Sequence, residues 1–510
     1  MKNEFSTLPK RLYYLLAVLI AGTFIACNDE NKDKGDEMAF DPSKPVDVSD
    51  FTPKSGGSNQ KLVIMGDNFG SDKSQVSVII GNKPATVITV SNTRIYCFVP
   101  PQAYDGSIKV IVGAGRDQKT GICEKKFEYE RKQVVATLCG YKNEYDNQGW
   151  RDGSFADCCG FAREGWLAFD PKNSDHLYIA YDGKREIQML DLANRTLSTP
   201  MGNVSLIGDR LRTIDFTPDG DYMLMAVDWD SQQQRTPNVY IASRDEQGKF
   251  SNDSPIEVIA SYKQCNGLAV HPQNGEIYFN SYERSQLFRL DLKDYFDVID
   301  AGGQWNPVIL DDKEERYFSI LYTLSDPAFE YRLIIHPTGK YAYIMVRNRQ
   351  YILRTDYDPV NKRFVFPYVV VGAMGQTGWV DGLGNEARMD FPYQGVFVKN
   401  PEYTSMEDEY DFYFTDQWTH SIRYVTPEGA LKTFAGRGNQ ASGNVIGFDD
   451  GDLRETARFN NPTGIAYSES RKTFYILDTS NRRIRTISLE GGNSERDIDL
   501  AELERNGKKQ

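Results

Sequence analysis

Histidine is the scarcest of the residues that usually carry chemistry, with four in the 510-residue chain: His176, His271, His336 and His420. No H-x-x-x-H or C-x-x-C spacing is present, so the usual zinc-binding patterns are missing. The G-x-S-x-G turn of serine hydrolases and a glycine-rich phosphate loop are missing as well. His271 and His336 stand directly before a proline, where Asp170 stands in another repeat, and a turn-capping role explains all three. The sequence therefore predicts no catalytic residue, no metal site and no cofactor.

A basic surface and long helical stretches are also lacking. The formal net charge is -13, from 59 Lys and Arg against 72 Asp and Glu. This balance argues against a general nucleic-acid binder, which needs a basic face. Tyrosine (30 residues) and phenylalanine (27 residues) are abundant whereas helix-type periodicity is scarce, so we expect a mostly β protein. The chain is long enough for two or more domains.

One apolar run stands out, Leu12–Ile25 near the N-terminus, shortly after three basic residues. The run is too short for a comfortable membrane span, and residues 1–26 are therefore interpreted as a signal peptide. The end of the run, Phe24-Ile25-Ala26-Cys27, resembles a lipobox. The resemblance implies cleavage before Cys27 and lipidation of its thiol. The alternative is ordinary signal cleavage with Cys27 as a bystander.

Residues 27–40 are expected to form a flexible tether. The stretch Asn28–Glu37 has no apolar residue and is rich in Asp, Glu and Lys, and such a composition cannot form a packed core. An acidic stretch directly after a lipidated cysteine resembles the surface-export signal of gut-bacterial lipoproteins. The resemblance implies a lipid anchor in the outer membrane, with the protein facing the cell exterior and touching the membrane through the anchor only.

Residues 41–130 form the first predicted domain. Alternating apolar residues punctuated by Gly, Asn and Pro predict short strands, as in Leu62–Gly70, Val76–Gly81 and Ala85–Pro101. These stretches resemble the IPT/TIG domain, and the resemblance implies an immunoglobulin-like sandwich. The segment holds no catalytic constellation. We interpret the domain as a spacer, with a docking module as the alternative.

Self-similar segments organise the rest of the chain. The stretch Phe448–Pro462 has a copy at Trp379–Pro392 and a partial copy at Gly149–Ala156. Such repetition predicts a radial array of four-stranded blades, the β-propeller. The segments T-F-A-G, D-G, A-R-F-N-N-P-T-G-I-A and D-T-S-N-R-R-I-R resemble the NHL repeat. The resemblance implies an all-β fold, in which a six-bladed NHL-type propeller at residues 133–490 follows the sandwich and a polar tail occupies residues 491–510.

The repeat also predicts how the ring closes and which residues hold each blade. In this family a strand before the first blade completes the outer edge of the last one, and Val134–Leu138 is expected to do so. Trp150 and Trp379 match Phe448 in the repeat and are interpreted as structural plugs. The aspartates that recur two residues later are interpreted as turn caps: Asp152, Asp381 and Asp450.

Six cysteines remain after Cys27, and the cell exterior permits disulfides. A bond from Cys139 to Cys158 or to Cys159 is plausible because all three lie in the first repeat. The neighbours Cys158 and Cys159 cannot easily bond to each other without strain. The alternative, that all six are buried free thiols, stays open.

Aromatic residues in the loop between the second and third strands of each blade are the candidate ligand-binding residues. Aligning the blades on Asp416–Arg423 and Asp478–Arg485 places four rings near one face: Tyr181, Trp229, Tyr282 and Trp418. Flat rings stack on sugar rings through CH–π contacts, and flanking carboxylates such as Asp228 and Asp416 bond to hydroxyl groups. The alternative is that these rings pack between neighbouring blades.

The combination of a lipobox, an IPT/TIG domain and an NHL-type propeller resembles accessory proteins of starch-utilisation-like (Sus-like) glycan uptake systems. The resemblance implies a cell-surface lipoprotein that binds a polysaccharide or oligosaccharide without catalysis, that binds no nucleic acid, and that could partner an outer-membrane transporter. The first alternative is a protein docking platform, since both domain types serve as interaction modules. The second is a propeller enzyme, a lyase or lactonase with a metal in the central channel, which the turn positions of the histidines argue against.

Overall fold

The structure is a computed structural model of the chain. It divides the chain into two compact units, residues 1–131 and residues 132–510. The signal peptide, Cys27, Trp229 and Tyr282 lie outside the described residues. The stretches that the structure describes are residues 38–140, 149–202, 210–228, 236–261, 264–281, 285–310, 317–324, 330–404, 406–438 and 443–491.

The first unit is a β-sandwich. Its main sheet has the order β1-β3-β6-β5-β4-β7-β8, and β2 pairs with β9 in parallel. Alternate side chains of these strands point inward, and Phe51, Ile64, Ile95 and Val110 meet in one core. The strands are β1 (Asp47–Thr52), β2 (Ser55–Gly56), β3 (Lys61–Asp67), β4 (Val76–Ile80), β5 (Lys83–Ser91), β6 (Arg94–Phe98), β7 (Ile108–Val112), β8 (Lys119–Ile122) and β9 (Glu128–Tyr129).

The second unit is a propeller of six antiparallel blades, as predicted. Blade 1 holds the strands β11 (Gly153–Ser154), β12 (Gly165–Asp170), β13 (Asn173–Tyr181), β14 (Ile187–Asp191) and β15 (Thr196–Met201). Blade 2 holds β16 (Leu211–Phe216), β17 (Tyr222–Val227), β18 (Pro237–Ser243), β19 (Ile256–Ser261) and the added strand β23 (Val308–Ile309). Blade 3 holds β20 (Leu268–Val270), β21 (Ile277–Ser281), β22 (Gln286–Leu290) and β24 (Phe318–Thr323).

Blades 4 to 6 repeat the arrangement with short extra strands at their edges. Blade 4 holds β25 (Tyr331–Ile335), β26 (Tyr341–Val346), β27 (Tyr351–Asp358), β28 (Arg363–Phe364) and β29 (Tyr368–Gly372). Blade 5 holds β30 (Gly382–Leu383), β31 (Pro392–Lys399), β32 (Tyr410–Asp416), β33 (Ser421–Val425) and β34 (Ala430–Gly436). Blade 6 holds β35 (Gly451–Asp452), β36 (Pro462–Ser468), β37 (Thr473–Asp478) and β38 (Arg483–Leu489), and β10 (Gln133–Cys139) joins it.

The innermost strand of each blade touches the innermost strands of both neighbouring blades, in the order β12, β16, β20, β25, β31, β36 and back to β12. These six strands therefore surround a central channel. The second strands are covered by neighbouring blades on both faces, and this explains why β17 (YMLMAV) and β26 (YAYIMV) are apolar runs without strict alternation.

The predicted closing strand is confirmed. β10 pairs antiparallel with β38, with Val135 opposite Ile487 and Thr137 opposite Arg485. Val135 and Leu138 are buried, and the Thr137 hydroxyl and N–H both donate to Asp450. The strand that begins the propeller therefore supplies the outer edge of the last blade, which removes an open sheet edge.

Turn-capping histidines are confirmed as well. The Nδ1 atoms of His271 and His336 accept the N–H of the residue two positions later, at 3.2 Å in each case. Asp170 Oδ1 accepts the N–H of Lys172 in the same way at 2.8 Å. These side chains shape the turns between first and second strands.

The repeated hairpin aspartates have a different role from turn capping. Asp381 Oδ1 accepts from Arg423 at 2.8 Å and from the Thr433 hydroxyl at 2.7 Å, and thus ties the hairpin to the third and fourth strands. The equivalent bond in the last blade joins Asp450 to Arg485, which donates to it. In blade 1 Gln188 replaces the arginine and donates to Asp152 at 3.3 Å.

Both predicted plugs are half-buried. Trp150 meets the ring edge of Tyr181 at 4.7 Å, and Trp379 donates from Nε1 to the Thr433 hydroxyl at 3.0 Å. Phe448, which holds the same repeat position in the last blade, is 57% exposed.

The six cysteines beyond Cys27 are free thiols. Cys139 and Cys158 are buried side by side, with a hydrogen bond between their thiols, and burial raises the pKa of the Cys139 thiol. Cys139 belongs to the closing strand and Cys158 to blade 1.

Within the described stretches of the propeller, one α-helix interrupts the β architecture. Helix α1 (Leu292–Asp300) follows β22, begins at Asp291, whose carboxylate accepts the Lys293 N–H at 3.0 Å, and buries Leu292 and Tyr295. No helix within the described stretches is long and apolar enough to cross a membrane.

Candidate functional site

One face of the propeller carries the loops between the second and third strands. In four blades the N–H of a loop residue donates to a carbonyl just before or at the start of the innermost strand, so the loop is held beside the channel mouth. We call this the upper face. The bonds are Asp182 to Glu164, Asp228 to Arg210, Arg347 to Glu330 and Gln417 to Phe391, at 2.9 to 3.1 Å.

Trp418 is the predicted ring that is exposed on this face. Its side chain is 51% exposed, and its ring stacks on Phe391 with the centroids 3.8 Å apart and the planes 19° apart. The Trp418 N–H donates to the Asp390 carbonyl at 3.1 Å, and the Arg347 guanidinium lies 5.3 Å from the Phe391 ring centroid. We call Trp418 and Phe391 the aromatic platform, because one ring supports the other and leaves a flat apolar surface open to solvent.

Tyr181 is not available to a ligand, which corrects the prediction for that residue. The side chain has no exposed surface. Its hydroxyl donates to Gln188 Oε1 at 2.8 Å, and the Trp150 ring covers it edge-on. The alternative of a ring packed between neighbouring blades holds here, because Tyr181 shares a core with Leu477 and Ile484 of the last blade.

The two predicted carboxylates are buried in ion pairs. Asp416 and Arg423 have no exposed side-chain surface and meet at 3.1 Å. Asp228 Oδ2 accepts from Arg212 at 2.5 Å and from the Asn266 side chain at 2.9 Å. Neither carboxylate is free to bind ligand hydroxyl groups at the surface, so both predictions need this correction.

A charged cluster that the sequence reading missed lies beneath the mouth of the channel. Glu330 Oε1 accepts from three guanidinium groups, those of Arg347 at 2.9 Å, Arg332 at 3.1 Å and Arg212 at 3.4 Å. Burial by itself raises the pKa of Glu330, but the three cations outweigh it and lower the pKa to about 2. We call these four residues the arginine cluster.

The buried ring of Tyr393 lies against this cluster, 4.8 Å from the Arg347 guanidinium and 5.3 Å from that of Arg332. The arrangement is a cation–π contact on an inner-strand tyrosine. The Arg332 Nε and Nη1 atoms and the Tyr393 hydroxyl have no hydrogen-bond partner among the described residues. The floor of the upper face is thus polar and rich in donors.

Glu164 connects the arginine cluster to the surface. Its Oε1 accepts from Arg347 and from Gln417, each at 2.7 Å. Beside it an open groove of about 450 Å³ is lined by Ala162, Arg163, Glu164, Asp182, Gly183 and Arg210. The upper face therefore combines an exposed aromatic platform with a neighbouring groove of hydrogen-bond donors and acceptors.

This combination suits binding of a polar ligand with flat apolar faces. Planar charged side chains can bond to hydroxyl groups in pairs, and the platform can stack on a ring. In the part of the chain that the structure describes, no group of three or more His, Cys, Asp or Glu is placed to hold a metal ion.

Comparison with known proteins supports the architecture. The sequence model of the IPT/TIG domain family matches residues 45–129. A solved structure from Bacteroides thetaiotaomicron, provisionally named a phosphatase, is 50% identical with a TM-score of 0.82, over 89% of this chain and 99% of that chain. An auxiliary nutrient binding protein from the same organism is 40% identical with a TM-score of 0.77, over 89% of this chain and 99% of that chain.

A second auxiliary nutrient binding protein, from Bacteroides ovatus, is 34% identical with a TM-score of 0.65, over 89% of this chain and 100% of that chain. The bovine (Bos taurus) NHL repeat-containing protein 2 is 33% identical over 114 residues, which are 22% of this chain and 14% of that protein. The chain spans only this small part of the bovine protein. The sequence identity to the Bacteroides structures, over most of each chain, shows the family. The chain belongs to the family that includes the auxiliary nutrient binding proteins of Bacteroides, with an IPT/TIG domain followed by a six-bladed NHL-type propeller.

Proposed function

We propose that the chain binds a nutrient on the upper face without converting it, and that the nutrient is a polysaccharide or oligosaccharide. The observation that carries the proposal is the aromatic platform, because Trp418 is exposed and already held flat by Phe391, so little side-chain ordering is left to oppose stacking of a ligand. Two solved members of the family are called auxiliary nutrient binding proteins, which supports a nutrient ligand.

The surroundings of the platform favour a carbohydrate over a purely apolar nutrient. A sugar ring presents C–H groups on its faces and hydroxyl groups around its edge. The platform suits the faces, while Glu164, Asp182 and Arg210 beside it suit the edge. Glu164 also bonds to Gln417, the residue next to Trp418, so the stacking and hydrogen-bonding parts are mechanically linked.

We further propose that the protein is a lipoprotein of the outer membrane, anchored through Cys27 and facing the cell exterior, where it serves a glycan uptake system beside an outer-membrane transporter. This part rests on the signal peptide, the lipobox-like sequence and the acidic stretch that follows it. A tether such as residues 27–40 would let the propeller reach ligands away from the membrane surface.

Glycan-array binding of the soluble chain that begins after residue 27 would identify the ligand, and Trp418→Ala would then test the platform. Loss of one stacking ring costs roughly 1–3 kcal/mol, taking base stacking as a guide, which is about 5-fold to 150-fold in Kd. The melting temperature should hardly change because Trp418 is exposed. Phe366→Ala is the matched control, since this ring is 65% exposed and follows β28, on the opposite face.

Three results would count against the proposal. Normal glycan binding by folded Trp418→Ala would place the site elsewhere, for example on the IPT/TIG unit. Unfolding of that variant would make the ring structural. Release of phosphate from an aryl phosphate by the same preparation would favour an enzyme instead, in line with the name given to the 50% identical structure.

A further inference from the structure

The lower half of the central channel is a second cavity, separate from the upper face. It has a volume of about 510 Å³ and is lined by the lower ends of the six inner strands and the turns that follow them. Such a volume lies within the usual range for small-molecule sites, about 300–1,000 Å³. Four aromatic residues are among those that line it: Trp166, Phe169, Phe216 and Tyr467.

Strand register identifies a ring of six equivalent positions around this cavity, one from each blade. In five blades the position is apolar and pairs with a tyrosine of the second strand: Ala168 with Tyr178, Ala269 with Tyr278, Ile334 with Tyr343, Val396 with Tyr413 and Ala466 with Tyr475. In blade 2 the position is Asp215, opposite Leu224. All six line the cavity, so a single carboxylate stands in an otherwise apolar ring.

Asp215 is partly exposed to the channel and has no ion-pair partner among the described residues. Its Oδ2 accepts the Val270 N–H at 2.8 Å and its Oδ1 accepts the Phe216 N–H at 2.9 Å. Among the described residues that line the cavity there is no Lys, Arg or His. A carboxylate in such surroundings is costly to keep ionised without a cation.

Bonding to strand N–H groups does not by itself require a charge at this place. The Thr213 hydroxyl accepts the Leu268 N–H at 3.0 Å between the same two blades. Gln394 Oε1 accepts the N–H groups of Leu167 and Ile465 at 2.9 and 3.0 Å. Neutral side chains thus join inner strands elsewhere in the channel, and the negative charge of Asp215 is left without a structural explanation.

We propose that the lower channel binds a small organic ammonium ion, whose charged group pairs with Asp215 and whose apolar body lies against the apolar residues of the wall. The carboxylate supplies the single counter-charge, and the apolar residues around it favour an apolar body. A neutral apolar molecule would leave the carboxylate unpaired, and an anion would be repelled by it. The site does not depend on the glycan proposal, because none of its residues belongs to the platform or the groove.

The test uses the soluble chain that begins after residue 27 and isothermal titration with benzylammonium, with benzyl alcohol as the neutral probe of the same shape. We expect benzylammonium to bind at least tenfold more tightly than benzyl alcohol. Asp215→Asn should remove that preference, whereas Trp418→Ala should leave it unchanged. Equal binding of the two probes, no binding of either, or an unchanged preference in Asp215→Asn would overturn the proposal.

Two further measurements keep the test decisive if Asp215→Asn does not fold. Ala168→Leu adds bulk to the ring of six without altering the charge, and it should weaken benzylammonium binding at least tenfold. In the unaltered chain, burial raises the pKa of Asp215 to about 6, so benzylammonium affinity should fall as the pH drops from 7 through 6 to 5. Unchanged affinity in Ala168→Leu or across this pH range would contradict the assignment.

Of the other titratable groups near Asp215 that the structure describes, Tyr467 is the one that shares the cavity wall. Tyr467, the other titratable residue of the wall, has a pKa raised to about 12 by burial. Asp170 and His271 stand in the turns of the flanking blades but do not line the cavity. Asp170 is paired with Arg244 at 2.6 Å, and burial lowers the pKa of His271.

Discussion

Removing the closing strand is expected to destabilise the propeller by an amount comparable to its whole stability. A chain that starts at Tyr141 lacks β10, and with it the buried side chains of Val135 and Leu138. Burial of two such aliphatic side chains contributes about 3–6 kcal/mol together, at about 1.5–3 kcal/mol each. The apolar edge of β38 would also become open to solvent and to other chains. Domains of this kind are stable by only about 5–15 kcal/mol in total.

The assay is urea denaturation followed by tryptophan fluorescence, with light scattering to detect aggregation. A chain that starts at Glu130 keeps β10 and the bond from the Glu490 N–H to the Lys132 carbonyl, so it should unfold cooperatively. The chain that starts at Tyr141 should aggregate or unfold at much lower urea. In the full-length chain, Val135→Asp should reproduce the loss, whereas Lys132→Asp, at an exposed position, should not. Equal stability of the two truncated chains would refute the closure argument.

The remaining predictions concern the blade scaffold and the anchor. Arg423→Met should destabilise the propeller by about 3–5 kcal/mol in urea denaturation, because Asp416 is left buried without its partner. Lys472→Met breaks an exposed pair with Glu469 and should cost less than about 1 kcal/mol. Similar costs for both variants would refute the distinction between buried and exposed ion pairs. Cys27→Ala should release the protein from the membrane fraction, and continued membrane association with protection from protease on intact cells would contradict surface anchoring.

Blade number and closure followed from the sequence because the repeat encodes local geometry. The turn after each inner strand needs a side chain that accepts an N–H two residues later, and Asp170, His271 and His336 fill the same place for that reason. Helix α1 was not predicted, since nine residues between two strands give little periodicity to detect.

The candidate site was predicted only in part, because repeat alignment gives the position of a loop residue but not what covers it. Trp418 lies in the loop after β32 and is exposed, whereas Tyr181 is the last residue of β13 and lies under Trp150. The arginine cluster joins residues far apart in the chain. Glu330 bonds to Arg212 across 118 positions, and Glu164 bonds to Arg347 across 183. The sequence feature that could have indicated this cluster is an arginine within an apolar inner strand, as in L-R-T-I-D-F.

Comparison of equivalent positions in the six blades distinguishes residues that hold the fold from residues that are candidates for ligand binding. Asp416 with Arg423 recurs in the next blade as Asp478 with Arg485, in the same register and at 3.1 and 2.8 Å, so this pair serves every blade that carries it and cannot specify one ligand.

Trp418 has Ser480 at the corresponding place in blade 6, and Asp215 has alanine, isoleucine or valine in the other five blades. A residue that departs from its repeat gains nothing from the shared geometry, and a carboxylate without a cation in an apolar ring is costly to keep ionised. Such departures at opposite ends of one channel are therefore best explained by ligands, stacked on the platform at the upper end and ion-paired at the lower end. Because the two sites share no side chain, loss of binding in Trp418→Ala and in Asp215→Asn should be independent, and the double variant should lose both.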